Sequence, residues 1–488
     1  MPNDLPILFV SPSTATRRGA WQKSAPPHPH LGLAYLISAL KQNGIRNVSY
    51  YDQGMDPDIN VLFEQIRKTQ PALIGITTFS YTFGFAIELV KQIKTVTSAP
   101  IVLGGPHVSA AKAETLEEPR VDFAMYGECD ITLPQFIREM AGARDFKTVP
   151  NLIWRDANGQ VVVNPAAPLI RNVDDLPFPD WESCHYERYH YYQTRQMPII
   201  TSRGCPHDCN YCSVKLTMGR TFRPRSPANI LAEIRHWQQR YGISNFSIND
   251  DYFNANLRRA EAFCDLLVSE KANITYSFPN GIRADRVTEQ FLRKMKQSGC
   301  IAVNYGCESG NQEVLTGMGK SLKLEHVENA VNLSTRAGIP NAVTFIIGHK
   351  GETLEKALES VAFAARLNTD FVTFYNLIPY PGTDVYDWAR QNAKNMLPAQ
   401  EFLQKQGYMD LDPVFETDDF NREDRIKALR AGFALHQKTL LRHRFGKALG
   451  GLLYVIFRNK TLFDLGERLL WLLRRLLPSL RTTAHGRA

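Results

Sequence analysis

Residues 203–212 read RGCPHDCNYC, placing Cys205, Cys209 and Cys212 in one short loop with no fourth cysteine or histidine spaced to complete a tetrahedral metal site. A Cys-x3-Cys-x2-Cys spacing suits a centre that takes three thiolates and keeps one coordination position for something else. An apolar run at 198–202 leads into this loop, so the cysteines follow the end of a strand. Further strand-like runs recur at 244–249, 273–278, 301–305, 341–347 and 370–377, separated by helical patterns such as SPANILAEIRHWQQRYG and TEQFLRKMKQSG. Six such βα units predict an incomplete parallel barrel, in which chemistry belongs to the loops at the C-terminal strand ends.

Three thiolates on such a loop can wrap three irons of a four-iron cubane and leave the fourth iron open. Zinc is the competing reading, with His207 inside the loop as a further donor, although zinc sites more often join CxxC pairs to histidines.

Upstream, PILFV (6–10), VSYYD (48–52), ALIGITT (72–78), PIVLGG (100–105) and VDFAMYG (121–127) read as buried parallel strands. Amphipathic helices are expected near 31–43, 59–69, 84–95 and 130–141. This is a doubly wound α/β pattern, whose ligands sit beyond the carboxyl ends of the strands. Gly104 and Gly105 end the fourth strand, where they either admit a ligand close to the backbone or make a tight strand-to-helix turn.

The chain has 488 residues, 44% hydrophobic and 22% charged, enough for two or three globular domains. We expect residues 1–145 to form the doubly wound domain, 146–194 a linker with a hairpin at Asn158-Gly159, 195–390 the partial barrel, and 391–488 a helical C-terminal region. The N-terminus has an apolar run before its basic residues, the reverse of a signal peptide, and no segment is long enough to span a bilayer, so a cytoplasmic location is expected. Eight cysteines in such a chain point to metal ligation or packing rather than a disulfide framework. Cys264, on an apolar helical face, reads as core; Cys129 and Cys184 have no partner motif, and Cys300 and Cys307 read as strand packing. A net charge of +8 accords with anionic ligands or a membrane surface and does not call for nucleic acid.

HLGLAYLISALKQNG (30–44), GGPH (104–107) and GECDITLPQF (127–136), in that order and followed by the three-cysteine loop, resemble the cobalamin-dependent radical S-adenosylmethionine enzymes over roughly residues 5–390. The resemblance implies a 4Fe-4S cluster on Cys205, Cys209 and Cys212, with S-adenosylmethionine chelating the open iron and yielding a 5′-deoxyadenosyl radical when the reduced cluster passes it an electron. It also implies cobalamin on the first domain. The loop after the first strand, SPSTATRRG, lacks the Asp-x-His-x-x-Gly motif of relatives with a histidine lower ligand; His28, His30 and His107 therefore read as hydrogen-bonding residues. Within SINDDYFN (247–254), Asp250 and Asp251 fall where carboxylates can hold the methionyl ammonium, a helix N-cap being the competing role. NYGCESGNQEVL (304–315) is similar to the family's ribose-binding segment, which gives Glu308 and Ser309 to the adenosyl group. FIIGHKGET (345–353) departs from the family pattern by carrying Lys350 where proline is usual, preceded by His349.

The implied activity is methylation of an unactivated carbon in a small-molecule or lipid-like substrate, with flavodoxin or ferredoxin as electron donor. Oxidative cyclisation or ring rearrangement without methyl transfer is the alternative within the family. A cobalamin-binding sensor module is the alternative of another class, but it leaves the cysteine loop idle. A radical enzyme of tRNA tailoring calls for a basic C-terminal module with strand character, whereas this tail reads as helical. No catalytic side chain is assigned from sequence. LFDLGERLLWLLRRLLPSLR (462–481) sets Asp464, Glu467, Arg468, Arg474 and Arg475 opposite leucines; packing on the barrel is the favoured reading, and peripheral membrane contact is the alternative.

Overall fold

The computed structural model describes residues 5–13, 28–396 and 411–458. The first sheet contains β1 (Ile7–Ser11), β2 (Val48–Asp52), β3 (Leu73–Thr77), β4 (Ile101–Gly104), β5 (Phe123–Met125), β6 (Leu152–Arg155) and β7 (Val161–Val163), in the order β2-β1-β3-β4-β5-β6-β7. Its first five strands are parallel, and the Asn158-Gly159 hairpin adds β6 and β7 antiparallel at one edge. Both faces are buried: helices Leu31–Gln42 and Thr132–Ala141 cover one, Ile59–Thr69 and Phe83–Ile93 the other. This explains why β1 and β3 read as unbroken apolar runs rather than alternating ones.

The second sheet contains β8 (Gln196–Ile199), then, after the short β9 (Ser202–Arg203) and β10 (Arg223–Pro224), β11 (Asn245–Ile248), β12 (Thr275–Ile282), β13 (Cys300–Glu308), β14 (Asn341–Ile347) and β15 (Phe371–Asn376). β8 and β11 to β15 pair in sequence order, all parallel; β8 and β15 are the sheet's two edges, so the barrel is open. Local chemistry sets the connecting helices. Pro227–Tyr241 starts on Ser226, whose hydroxyl accepts from the Asn229 amide, has proline in its first turn, and stops at Gly242 with φ of +64°.

An apolar core continues from the first sheet through Trp181 and Tyr186 into the barrel. Tyr189 donates to Asp52 at 2.9 Å, and Arg188 forks onto Asp56 at 2.7 and 2.9 Å, tying the segment between the sheets to the end of β2 and the loop after it. Helix Arg422–Phe445 lies on β15, where Gly432 admits the Phe374 ring and the His436 ring meets the Val372 carbonyl at 2.6 Å. Helix Lys447–Arg458 follows it. The 462–481 segment lies outside the described residues, and among those described no helix is long and apolar enough to cross a membrane.

Candidate active site between the two sheets

A cavity of about 680 Å³ lies between the carboxyl ends of the first sheet and the mouth of the barrel. Its first-domain wall is a run of glycines, Gly54, Gly75, Gly104, Gly105 and Gly127, from four strands or strand exits. Gly105 has φ of +99°, and a Cβ there would stand 2.6 Å from the Thr78 carbonyl oxygen. A Cβ on Gly75 would meet the Phe9 ring at 2.7 Å. Gly104 and Gly105 both face the cavity, as a site for a flat macrocycle against the sheet requires.

The histidines here are held rather than free. His30 caps helix Leu31–Gln42: its Nδ1 accepts from the Leu33 amide at 3.2 Å, and its Nε2 lies 3.4 Å from the Thr77 hydroxyl. Burial lowers its pKa to about 4, so the ring is neutral. His107 lies 3.1 Å from the Ser80 hydroxyl and against the Phe83 ring. A cobalamin whose lower face lacks a histidine from these positions fits this wall.

On the barrel side the cysteine loop leaves β9 through Gly204, whose φ of +82° places its α-carbon against the Thr221 and Met218 carbonyls. Asn210 anchors the loop, its amide donating to the Met318 carbonyl and its own carbonyl accepting from Val385, both at 3.0 Å. Cys205, Cys209 and Cys212 are free of disulfides, and the Cys205 and Cys212 thiols lie within electrostatic reach of the Asp251 carboxylate. Burial pushes the Cys212 thiol up to about 11, so metal binding there must displace a proton. Among the described residues no three His, Cys, Asp or Glu side chains converge as ligands of one ion. The Cys-x3-Cys-x2-Cys donor set, three thiols on one strand-exit loop, fits three irons of a polynuclear cluster.

The two aspartates divide. Asp250 is buried and accepts from the Thr201 amide at 2.6 Å and the Thr201 and Ser202 hydroxyls at 2.5 and 2.6 Å, bracing the end of β8. Asp251 reaches solvent, yet is hemmed in beside the cysteine loop; desolvation and the neighbouring Asp250 carboxylate push it up to about 6. Neither caps a helix; Asn256 caps Leu257–Ser269.

Glu308 ends β13 with φ of +71° and accepts from Lys320, which also reaches the Tyr211 hydroxyl at 3.3 Å within the cysteine loop. Ser309 is fully buried behind it, 3.3 Å from the Ser360 hydroxyl. His349 packs edge-on to Tyr211, ring centres 5.5 Å apart, and both its ring nitrogens are buried without a hydrogen-bond partner among the described residues. The thiols, Asp251 and Glu308, singled out from sequence, lie near one another at the barrel mouth, and Lys320, which carries no motif, joins them. Arg203 and Arg223 are not marked by the sequence either, although Arg203 adjoins the cysteine motif. Cys264, Cys300 and Cys307 are buried packing residues.

A parallel barrel with a three-thiol loop at its mouth, facing a glycine-walled doubly wound domain, defines a radical enzyme with a second cofactor domain. The family model for the B12 binding domain matches residues 18–137, and that for the radical SAM superfamily matches residues 199–364. The chain belongs to the cobalamin-dependent radical S-adenosylmethionine enzymes, whose cofactors are the 4Fe-4S cluster, S-adenosylmethionine and cobalamin. An uncharacterized methyltransferase of Pyrococcus horikoshii is 29% identical over 466 residues, 93% of this chain and 98% of that one. The cytidylyl-2-hydroxyethylphosphonate methyltransferase of Streptomyces wedmorensis is 25% identical over 78% of this chain and 80% of its own. The radical S-adenosylmethionine methyltransferase TsrM of Kitasatospora setae, solved with cobalamin and a [4Fe-4S] cluster bound, shares the fold with a TM-score of 0.67 at 21% identity, over 80% of this chain and 75% of that one.

Proposed function

We propose that this enzyme methylates an unactivated carbon of a small-molecule substrate bound in the mouth between the two sheets. The observation that carries this reading is that a single cavity is lined by Gly104 and Gly105 of the first domain and by Arg203 and Asn249 of the barrel, so both cofactor sites open on one space. The methyltransferase names of the two relatives above support it. Bound together, the cofactors supply a carbon-centred radical and a methyl group. The chain's own residues bind and orient: Cys205, Cys209 and Cys212 hold the cluster, and Asp251 receives the methionyl ammonium. Glu308, steadied by Lys320, meets the ribose, with Ser309 fixing the turn behind it. The apolar first-domain wall keeps water from the macrocycle. Asp250, with its oxygens already engaged, serves by holding Asp251 at the strand end.

We further propose a lipid-like substrate and contact with a membrane surface. They draw support from helix Lys447–Arg458, whose Leu449, Leu452 and Val455 are 51%, 58% and 64% exposed. An external donor such as flavodoxin or ferredoxin supplies the electron. The test is anaerobic turnover with S-adenosylmethionine carrying an isotopically labelled methyl group. A product heavier by one labelled methylene-equivalent supports methyl transfer, and loss of hydrogens without label incorporation overturns it in favour of cyclisation.

A further inference from the structure

The loop bearing the three cysteines is closed at its neck by β9 and β10, and the residues in register across that neck are two arginines, Arg203 and Arg223. Like charges directly opposite on paired strands repel, and both side chains are almost wholly buried; the barrel's own Asp251 acts on both only at a distance, so the guanidiniums take their bonded carboxylates from elsewhere. Those carboxylates come from the first domain. Asp130 takes both terminal nitrogens of Arg203 at 2.8 and 3.0 Å, and Glu128 takes both of Arg223 at 2.7 and 2.6 Å. Both carboxylates belong to the loop after β5, beside Gly127 in the glycine wall, and Glu128, Asp130 and Arg203 themselves line the cavity. The pairs are forked, with fixed direction as well as fixed length. Arg223 is held further by the Met218 and Ile170 carbonyls at 2.7 and 2.9 Å, and Arg203 lies over the Tyr35 ring.

We infer that Glu128 and Asp130 are positioning residues that set the separation between the cobalamin wall and the cluster loop by completing the arginine neck of that loop. The inference rests on the cofactor assignment above but not on the reaction or its substrate. One rigid connection, two residues from the first cluster cysteine, then fixes how far a radical formed at one cofactor lies from a methyl group carried on the other.

The test is pulsed dipolar electron paramagnetic resonance on the holoenzyme, reading the distance between cob(II)alamin and the reduced cluster, both paramagnetic. The wild-type protein is expected to give one narrow distance. Asp130→Asn and Glu128→Gln, which keep shape and remove charge, are expected to broaden it at least twofold with both cofactors loaded. Arg188→Gln, which removes an exposed forked pair between Asp56 and the segment joining the two sheets, away from the cluster loop, is the control and leaves it narrow. An unchanged narrow distance in the loaded Asp130 and Glu128 variants overturns the inference, as does equal broadening in the control. Should the neutral variants not load the cluster, Arg203→Lys, which keeps the charge but not the fork, is read instead. Full loading with a distribution wider than wild type supports positioning, whereas failure to load or a wild-type distribution overturns it. Because cluster and cobalamin contents are measured separately, loss of the cofactor assignment itself is recognised independently.

Discussion

Lys320 donates to the Glu308 carboxylate at 2.5 Å, and Glu308 accepts it from a left-handed backbone with φ of +71°. A non-glycine residue in that region costs on the order of 1 to 3 kcal/mol and is kept where its side chain is required. The pair is buried at the barrel mouth, next to the Tyr211 hydroxyl of the cysteine loop.

Removing the lysine is therefore expected to act on ligand binding. Lys320→Met should weaken S-adenosylmethionine binding to the reconstituted enzyme at least tenfold, about 1.4 kcal/mol, by isothermal titration. It should also destabilise the chain by roughly 3 kcal/mol, because a buried carboxylate is left unpaired. Gly306→Ala, whose new methyl would press on the Glu308 carboxylate, should weaken binding with a smaller stability loss. Wild-type affinity in both variants removes Glu308 from the adenosyl site.

Each of Cys205→Ala, Cys209→Ala and Cys212→Ala should abolish 5′-deoxyadenosine formation and lower iron content after anaerobic reconstitution, since each loss uncovers a second iron. Cys264→Ala is expected to keep the cluster. Its thiol is buried 3.5 Å from the Tyr276 hydroxyl, so the cost falls on stability, about 1 kcal/mol.

The cobalamin spectrum should be indifferent to the histidines of the first domain. His30→Ala deletes a helix cap worth about 1 kcal/mol and lowers the melting temperature, while the absorption bands of bound cobalamin stay in place. His28→Ala should likewise leave them unchanged. A shifted spectrum in either variant would identify a lower ligand.

The loop after β14 carries two opposed titrations. Burial raises Glu352 to about 7, partly offset by the Gly348 and His349 amides it accepts from and by Arg425; burial lowers His349 to about 3, aided by Arg425 and Lys320. Between pH 4.5 and 7 the folded chain holds a proton on Glu352 that the unfolded chain has lost, so this group's contribution falls as pH rises. Between pH 3 and 6.5 the unfolded chain protonates His349 and the folded one does not, so that contribution rises with pH. Relative to wild type, Glu352→Gln should gain on the order of 3 kcal/mol between pH 4.5 and 7.5, and His349→Phe should gain on going from pH 6.5 to 4.5. Urea denaturation across this range reads both, and curves parallel to wild type would contradict the assignment.

The parallel strands were legible because their apolar runs are short, β-branched and ended by glycine or acidic residues; β2, expected at 48–52, spans Val48–Asp52. The three thiols were legible because their spacing is itself a coordination pattern. What escaped reading is long-range and electrostatic. Nothing near Lys320 in sequence announces Glu308, twelve residues upstream across a helix, and Arg203 and Arg223 look like surface cations until Glu128 and Asp130 are brought to them from the other sheet. Asp250 and Asp251 are chemically alike and adjacent, so only the course of the backbone beyond the end of β11 decides which of them turns inward to Thr201.

The ties from Tyr189 to Asp52 and from Arg188 to Asp56 bear on how long a cofactor stays. A ligand enclosed between two lobes leaves by hinge opening if the connection is loose, and by local unfolding if it is pinned. Here the connecting segment is pinned at the loop after β2, with Asp52 on the cavity wall, and the buried aromatics Trp181, Tyr186 and Tyr189 anchor it. Cobalamin exchange is thus expected to follow the stability of that segment, speeding up with mild denaturant or on Tyr189→Phe, as release of labelled cofactor against free cofactor would read.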